Sequence, residues 1–437
     1  MNSKQMWTYL IHLSTNMWYD RPPSAYKSDY VKIRGLSPKL LCDERSWRQV
    51  TEQLAWIGAN TLLIDVGDGV VFPSHPELAI EGSWSPDKLL AEVKRLKAMG
   101  IEALPKLNFS TTHDSWLKEY HRQVSTPEYY RVCEDLIRDV AEIFGHPRYL
   151  HLGMDEERPG FGVFSEFAVF RQGDLWWNDF RKLVGWTEQY GMRPITWSST
   201  MRNNPDYATR TPKSVVICVG DSSYTRIPID AKRPCLDFAE DVAKKGFDVM
   251  ALGSNWQCDE NFRDISAWAL AHIPAERLSG FLMAPWVRTL PQFTRQAQRA
   301  VNHLEDAMLL AGAKQAPGNL RCAFAAWFLK PGAKEAHQTK YPEDRMRLAA
   351  DEELVLDFGV GAERPVIDTR MGAPGTLTLR TANVLDGQRP VCLPGQAQVT
   401  FQPREDRSEP ATPLTPGRYL VISADRSTNF TKIAVRT

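Results

Sequence analysis

Residues 61–65 read Thr61-Leu62-Leu63-Ile64-Asp65, and residues 85–107 read Ser85-Pro86-Asp87-Lys88-Leu89-Leu90-Ala91-Glu92-Val93-Lys94-Arg95-Leu96-Lys97-Ala98-Met99-Gly100-Ile101-Glu102-Ala103-Leu104-Pro105-Lys106-Leu107. The first run is short and apolar, the pattern of a buried strand. Ser85 is a good N-cap, Pro86 fits the first helical position, and Asp87 complements the positive end of the helix dipole. Leu89, Leu90, Val93 and Leu96 share one helical face, and Gly100 supplies the left-handed stop. Residues 101–107 return to strand. A strand, a capped helix and a second strand form a βαβ unit, whose strands lie parallel.

The same grammar extends in both directions. Strand patterns occur at 7–13, 149–153, 194–197, 214–219, 248–253 and 280–284. Helical patterns lie between them, with Trp47, Val50, Leu54 and Ile57 on one face and further helices near 127–145, 175–190, 236–245, 265–270 and 292–310. Eight strands in alternation predict a closed (β/α)8 TIM barrel, although an open sheet produces the same pattern. The grammar changes near residue 342. Helical periodicity fades after 353–358, and short strands between Gly/Pro turns follow at 376–380, 397–401, 419–423 and 432–435. The expected organisation is an α/β catalytic barrel over 1–341 and a small C-terminal β-sandwich over 342–437.

Composition narrows the function. The 437 residues carry 53 basic and 53 acidic side chains, so neither nucleic acid nor an anionic membrane is an expected partner. No stretch has transmembrane length. Residues 1–13 lack the long apolar run of a signal peptide, so the default expectation is cytoplasmic, or exported if a signal has been removed. Seven cysteines are scattered, without zinc spacing, and read as reduced buried thiols. No phosphate loop or GxSxG elbow occurs. Fourteen Trp could stack on sugars, though many would serve as core.

In a barrel, chemistry sits at the C-terminal ends of the strands. Strand one offers Asn16 and Trp18, strand two Asp65 and Asp68, and strand three Asn108 and His113. Strand four offers His151, Asp155 and Glu156, and strand five Trp197. Strand six is followed by Asp221 and Tyr224, strand seven by Trp256 and Asp259, and strand eight by Trp286 and Arg288. Carboxylates and indoles at the strand mouths suit an oligosaccharide, which presents hydroxyls and an apolar C–H face. In His151-Leu152-Gly153-Met154-Asp155-Glu156, strand alternation points Leu152 and Met154 outward and His151, Gly153 and Asp155 inward. Asp155 and Glu156 could then share a pocket that splits their pKa values, as glycoside hydrolysis requires. By spacing alone, Asp155-Glu156-Glu157 reads equally well as a solvated acidic loop. His12 and His75 read as structural.

This sequence resembles glycoside hydrolase family 20, the β-N-acetylhexosaminidases. Their strand-four signature is His-x-Gly-Gly-Asp-Glu, and here Met154 replaces the second Gly. Asn60-Thr61-Leu62-Leu63-Ile64-Asp65-Val66-Gly67-Asp68 is similar to the family's strand two, with Asp65 in place of a His. Pro76-Glu77-Leu78 matches a following Pro-Glu-Leu. Pro105-Lys106-Leu107-Asn108-Phe109 and His113 are similar to Pro-Glu-Ile-Asp-Met-Pro-Gly-His, with Lys106 replacing a Glu and able to pair with Asp65 or Asp68. Trp197 and Trp286 match the Trp residues of strands five and eight. The resemblance spans roughly residues 7–310. It implies a retaining exo-glycosidase that removes terminal β-linked N-acetylhexosamine by substrate-assisted catalysis, without metal or cofactor. Glu156 would be the acid/base and Asp155 would orient the 2-acetamido group. His113, with Asn108 or Asp68, would tune Glu156, and Trp197, Trp256 and Trp286 would wall the pocket. Asp65, His151, Tyr224, Asp259 and Arg288 complete the expected substrate-binding set. Two departures stand out. The family's strand-one Arg has no counterpart within residues 14–18, and Arg288 replaces a carboxylate. Arg288 reads either as facing an anionic substrate group or as turned to solvent or a local salt bridge. The alternatives are a glycosidase for a sulfated, anionic or non-acetylated sugar, and a non-catalytic carbohydrate-binding barrel. Oligomeric state is not legible.

Overall fold

The computed structural model describes residues 5–27, 29–220, 225–313, 320–323, 325–330, 337–339, 346–358, 362, 364–369, 375–401, 410 and 413–436. Eight parallel strands close in sequence order: β1 (Met6–His12), β2 (Thr61–Asp65), β3 (Glu102–Lys106), β4 (Tyr149–His151), β5 (Arg193–Trp197), β6 (Val216–Gly220), β7 (Asp248–Gly253) and β8 (Leu278–Met283). The expected barrel is therefore present. Closure pairs Met6 of β1 with Gly280 of β8. A Cβ on Gly280 would lie 2.2 Å from the Met6 carbonyl oxygen, so only glycine permits this approach.

Side chains alternate along each strand. Leu10, Leu63, Leu104, Ile195, Val216, Met250 and Leu282 fill the barrel interior. Tyr9, Leu62, Leu150, Ile217 and Phe281 face the helices in a separate outer core. The anticipated cap forms, Ser85 accepting from the Lys88 N–H, and two more start helices in the same way: Asp43 accepts from the Ser46 N–H and Thr126 from that of Tyr129. The β5–β6 crossover carries two single-turn helices, Ser199–Arg202 and Tyr207–Arg210, instead of a long one. Among the described residues, no helix is long and apolar enough to cross a membrane.

The chain divides into compact units Met1–Ala313 and Lys314–Thr437, ahead of the expected boundary at 341/342. Strands Leu320–Cys322 and Ala325–Leu329 precede that boundary yet pair with Thr428–Arg436 and Glu353–Asp357. The expected helical periodicity at 353–358 is instead a strand. Leu354 and Leu356 share one core and Val355 another, a period of two. The second unit contains a seven-stranded and a four-stranded antiparallel sheet. Leu379 and Ile422 of the larger sheet share one apolar core with Ile367 and Ile433 of the smaller, as in a sandwich.

Candidate active site

The connections at the C-terminal ends of the strands surround a cavity of about 530 Å³ in the first unit. That volume lies in the range of a small-ligand site. Its lining includes Asp65, Lys106, Asn108, His113, Asp155, Glu156, Trp197, Trp256 and Trp286.

The catalytic candidates sit on an unusual backbone. Gly153, Met154 and Glu156 have φ values of 70°, 63° and 58°. Such geometry is costly for non-glycine residues and persists only where the surroundings impose it. Here the Gly153 N–H donates to His151 Nδ1 at 3.0 Å. Its carbonyl accepts from the Trp197 N–H at 3.1 Å and from Thr196 Oγ1 at 2.9 Å. The Glu156 N–H donates to Ser199 Oγ at 3.0 Å, and Ser110 Oγ donates to the Asp155 carbonyl. Met154, despite its positive φ, packs its side chain in the outer core.

Glycine is required at position 153. A Cβ there would fall 1.9 Å from Asn108 Oδ1 and 2.9 Å from Asn108 Cα. Gly153→Ala should therefore displace Asn108 and destabilise the protein by about 1–3 kcal/mol. Thermal unfolding should register the loss, and kinetics should show lower kcat because Asn108 holds Asp155. Unchanged kcat would mean that the Asn108 contact does not position the carboxylate.

Asn108 Nδ2 donates to Asp155 Oδ1 at 3.1 Å. His113 Nδ1 lies 3.8 Å from Asp155 Oδ1, and its Nε2 lies 3.5 Å from Glu156 Oε2. The side chains of Asp155, Glu156 and His113 are 16%, 27% and 12% exposed, so each is substantially desolvated. Burial, then the charge of Asp155, pushes the Glu156 carboxyl up to about 8, against the opposing pull of Arg158 and Arg34. Burial also lowers His113, against Asp155. At neutral pH, Glu156 is an acid with a proton to give and His113 is uncharged. The same three groups are near enough to share a cation, with ligand atoms within 4.8 Å of one another.

The cavity floor carries a buried charge pair. Lys106 Nζ lies 2.8 Å from Asp65 Oδ2, and His12 Nδ1 lies 3.1 Å from the same oxygen. Burial alone would raise the Asp65 carboxyl, but Lys106 and His12 hold it below its usual range. Lys106 thus pairs with Asp65 and not with Asp68.

Several anticipated substrate contacts lie elsewhere. Asp68 is buried against the segment that follows β1, accepting from Asn16 Nδ2 at 2.8 Å and from Ser14 Oγ, and does not line the cavity. Burial pushes its carboxyl up to about 6. His151 is fully buried below the cavity, its ring 4.1 Å from that of Trp197, and supports the turn. Asp259 ion-pairs with Arg299 of the helix Thr294–Leu310. Arg288 also misses the cavity, lying instead among Tyr9, Ile11, Ser46, Val50 and Thr294. Trp286 continues the inward face of Leu282 and Ala284, and beyond its φ of 54° Arg288 does not follow it. Tyr224 and Asp221 lie outside the described residues.

Trp18, offered by the end of strand one, lines the cavity, and other lining residues were not anticipated as site members: Arg34, Arg158, Ser199 and Arg202. Arg34 comes from the β1–β2 connection, well past the 14–18 window. Its guanidinium lies 5.6 Å from the ring centroids of both Trp18 and Trp256. Loops deliver Arg34 and Arg158 and a single-turn helix delivers Ser199 and Arg202, so neither a strand period nor a full helix period marks them.

No protein-family model matches the sequence, and no curated protein does. Solved structures do resemble it. The GH20 β-N-acetylhexosaminidase from Streptomyces coelicolor A3(2) aligns over 70% of this chain and 64% of its own, with 12% identity and a TM-score of 0.49. The β-N-acetylhexosaminidase from Bacteroides fragilis NCTC 9343 aligns over 70% and 65%, with 12% identity and a TM-score of 0.49. For the Flavobacterium johnsoniae chitobiase the figures are 68% and 47%, 15% and 0.47. The chain spans less than two thirds of the length of these structures.

Proposed function

We propose that this protein is a retaining glycosidase that releases terminal β-linked N-acetylhexosamine with the help of the substrate's own acetamido group. The observation that carries this reading is the pairing of two adjacent carboxyl groups in one cavity. Glu156 holds a proton near neutral pH because it is buried beside Asp155. Asp155 is gripped through Oδ1 by Asn108. Its other oxygen is available to accept a hydrogen bond from an acetamido N–H. That contact would turn the acetamido carbonyl oxygen toward the anomeric carbon.

In the first step, this oxygen attacks the anomeric carbon as the glycosidic bond breaks, and Glu156 gives its proton to the leaving oxygen. Asp155 stabilises the positive charge that develops on the cyclised acetamido group. In the second step, ionised Glu156 takes a proton from water, which attacks the anomeric carbon and reopens the ring. Two inversions retain the configuration, the recognised substrate-assisted exception to the two-carboxylate scheme. Trp197 and Trp286, with ring centroids 5.9 Å apart, offer apolar walls to the sugar. The strand-four resemblance, His151-x-Gly153-x-Asp155-Glu156, supports the same assignment of roles.

The test is hydrolysis of 4-nitrophenyl N-acetyl-β-glucosaminide and N-acetyl-β-galactosaminide beside the corresponding non-acetylated glycosides. Turnover should be confined to the acetamido sugars and blocked by a thiazoline mimic of the cyclised intermediate. Asp155→Asn should lower kcat by about 10²–10³-fold, the scale of losing one transition-state contact. Full activity of Asp155→Ala on the acetamido substrate would overturn the role of Asp155. Absence of turnover on every glycoside would overturn the enzyme reading.

A further inference from the structure

The cavity is richer in cations than the chain around it. The sequence is neutral, with 53 basic and 53 acidic residues. Yet Arg34, Lys106, Arg158 and Arg202 line the cavity against Asp65, Asp155 and Glu156. Lys106 is neutralised by Asp65 at the floor. Arg34 lies over Trp18 and Trp256. Arg158 and Arg202 differ from Lys106, because neither forms an ion pair with a described residue.

Their positions relate them to the acid. Arg158 is exposed at the rim, two residues past Glu156, and its charge is felt by that carboxyl. Its guanidinium lies 4.8 Å from the ring centroid of Phe161. Arg202 stands three residues beyond Ser199, whose Oγ accepts from the Glu156 N–H. On a helix that spacing puts Arg202 and Ser199 on one face. A general acid sits beside the leaving oxygen, so groups on the outer side of Glu156 meet the leaving group. Tyr19, Phe161 and Phe164 line the same mouth and provide stacking surfaces for a second sugar ring.

We propose that Arg158 and Arg202 bind a fixed negative charge on the leaving-group sugar, so that the substrate is an N-acetylhexosamine β-linked to an acidic residue. This rests on the glycosidase reading above and specifies its substrate class. The planar guanidinium fork matches the oxygens of a carboxylate or a sulfate ester. Either source supplies the same chemistry. A surplus of positive charge in a cleft also speeds the encounter with an anion.

The experiment compares three disaccharides on the full chain. Each has N-acetylglucosamine β-1,4-linked to glucuronate, to glucuronate methyl ester or to glucose 6-sulfate. Released N-acetylglucosamine is quantified alongside turnover of the 4-nitrophenyl glycoside. An acidic disaccharide should exceed the methyl ester at least tenfold in kcat/KM, mainly through KM, with the advantage shrinking as salt rises. Whichever acid gives the larger ratio identifies carboxylate or sulfate as the source. In the Arg158→Gln/Arg202→Gln variant the ratio should fall below threefold, and unchanged thermal unfolding would show that the fold is intact. Equal kcat/KM for acids and ester, with the nitrophenyl glycoside cleaved, would overturn the proposal and leave the glycosidase reading standing. So would a preference that survives the double variant. If nothing is cleaved, the glycosidase reading fails. Binding read by tryptophan fluorescence then decides the anion site: acid-selective binding lost in the double variant upholds it, and equal binding of acid and ester overturns it.

Discussion

Glu156→Gln is expected to lower kcat on an unactivated N-acetylhexosaminide by about 10²–10⁴-fold, the range supplied by a positioned general acid. Glutamine keeps the shape and hydrogen-bonding capacity of the carboxyl but has no proton to transfer, so KM should change far less than kcat. The pH profile provides an independent check. With the Glu156 carboxyl at about 8 in the free protein, kcat/KM should hold steady up to that pH and fall about tenfold per unit above it. Because the acid form is the active one, the loss comes on the alkaline side. The variant should lack this limb. A wild-type limb near the ordinary carboxyl value of 4.5 would mean that Glu156 is not the proton donor.

The same substitution has an expected effect on stability, with a definite sign. The folded-state value of Glu156 lies above the unfolded one, so folding takes up a proton between the two. The contribution of protonated Glu156 is fully present below the unfolded value and is lost as pH rises through about 8. Above that pH the native state holds a desolvated negative charge beside Asp155. Glu156→Gln removes this penalty and should raise the unfolding midpoint at pH 8 relative to wild type. Gain of stability with loss of activity is the signature of a site strained for its task.

The barrel was readable in the sequence because several helices announce their ends and strands alternate with them. Ser85-Pro86-Asp87 and Gly100, for example, delimit a helix within two residues of its observed span, Pro86–Ala98. The strand-four segment was readable for a different reason: alternation alone directs Met154 outward, where it is found in the outer core. The acidic run was ambiguous until the fold separated its members. Asp155 and Glu156 enter the cavity, whereas Glu157 turns into the protein. Arg34 and Arg158 were not legible, because a loop has no period from which to infer direction, and Arg202 sits on a helix of a single turn, too short to show one. Arg288 misled for another reason. The resemblance put it where a substrate-facing carboxylate would be, and beyond the left-handed Trp286 the chain carries it away from the cavity. The second unit began earlier than the sequence suggested because short strands such as Leu320–Cys322 find their partners a hundred residues away.

Glu157 leads to the second large effect. Arg171→Met should destabilise the protein by about 3–5 kcal/mol, the cost of removing one partner from a buried ion pair. Arg171 and Glu157 have no exposed side-chain surface, and Asp179 is 1% exposed. Arg171 Nε donates to Glu157 Oε2 at 3.0 Å, Nη1 to Asp179 Oδ2 at 3.0 Å and Nη2 to the Phe109 carbonyl at 2.7 Å. One guanidinium therefore ties the loops after β3 and β4 to the helix Asp174–Gln189. Methionine fills similar volume but leaves Glu157 with a charge and no countercharge. Asp179 retains hydrogen bonds from Ser125 and Tyr130, both at 2.6 Å, so the larger penalty falls on Glu157. Urea unfolding of the full chain should register the loss in the transition that reports the barrel. Adding Glu157→Gln should recover part of it, because a neutral amide costs less to bury than an unpaired carboxylate. Salt should change the effect little, since a buried pair is poorly screened. Glu157 follows Glu156 directly, so the single variant should also lose kcat under conditions where it remains folded. A loss below about 1 kcal/mol, the range of exposed pairs, would show that water reaches this network.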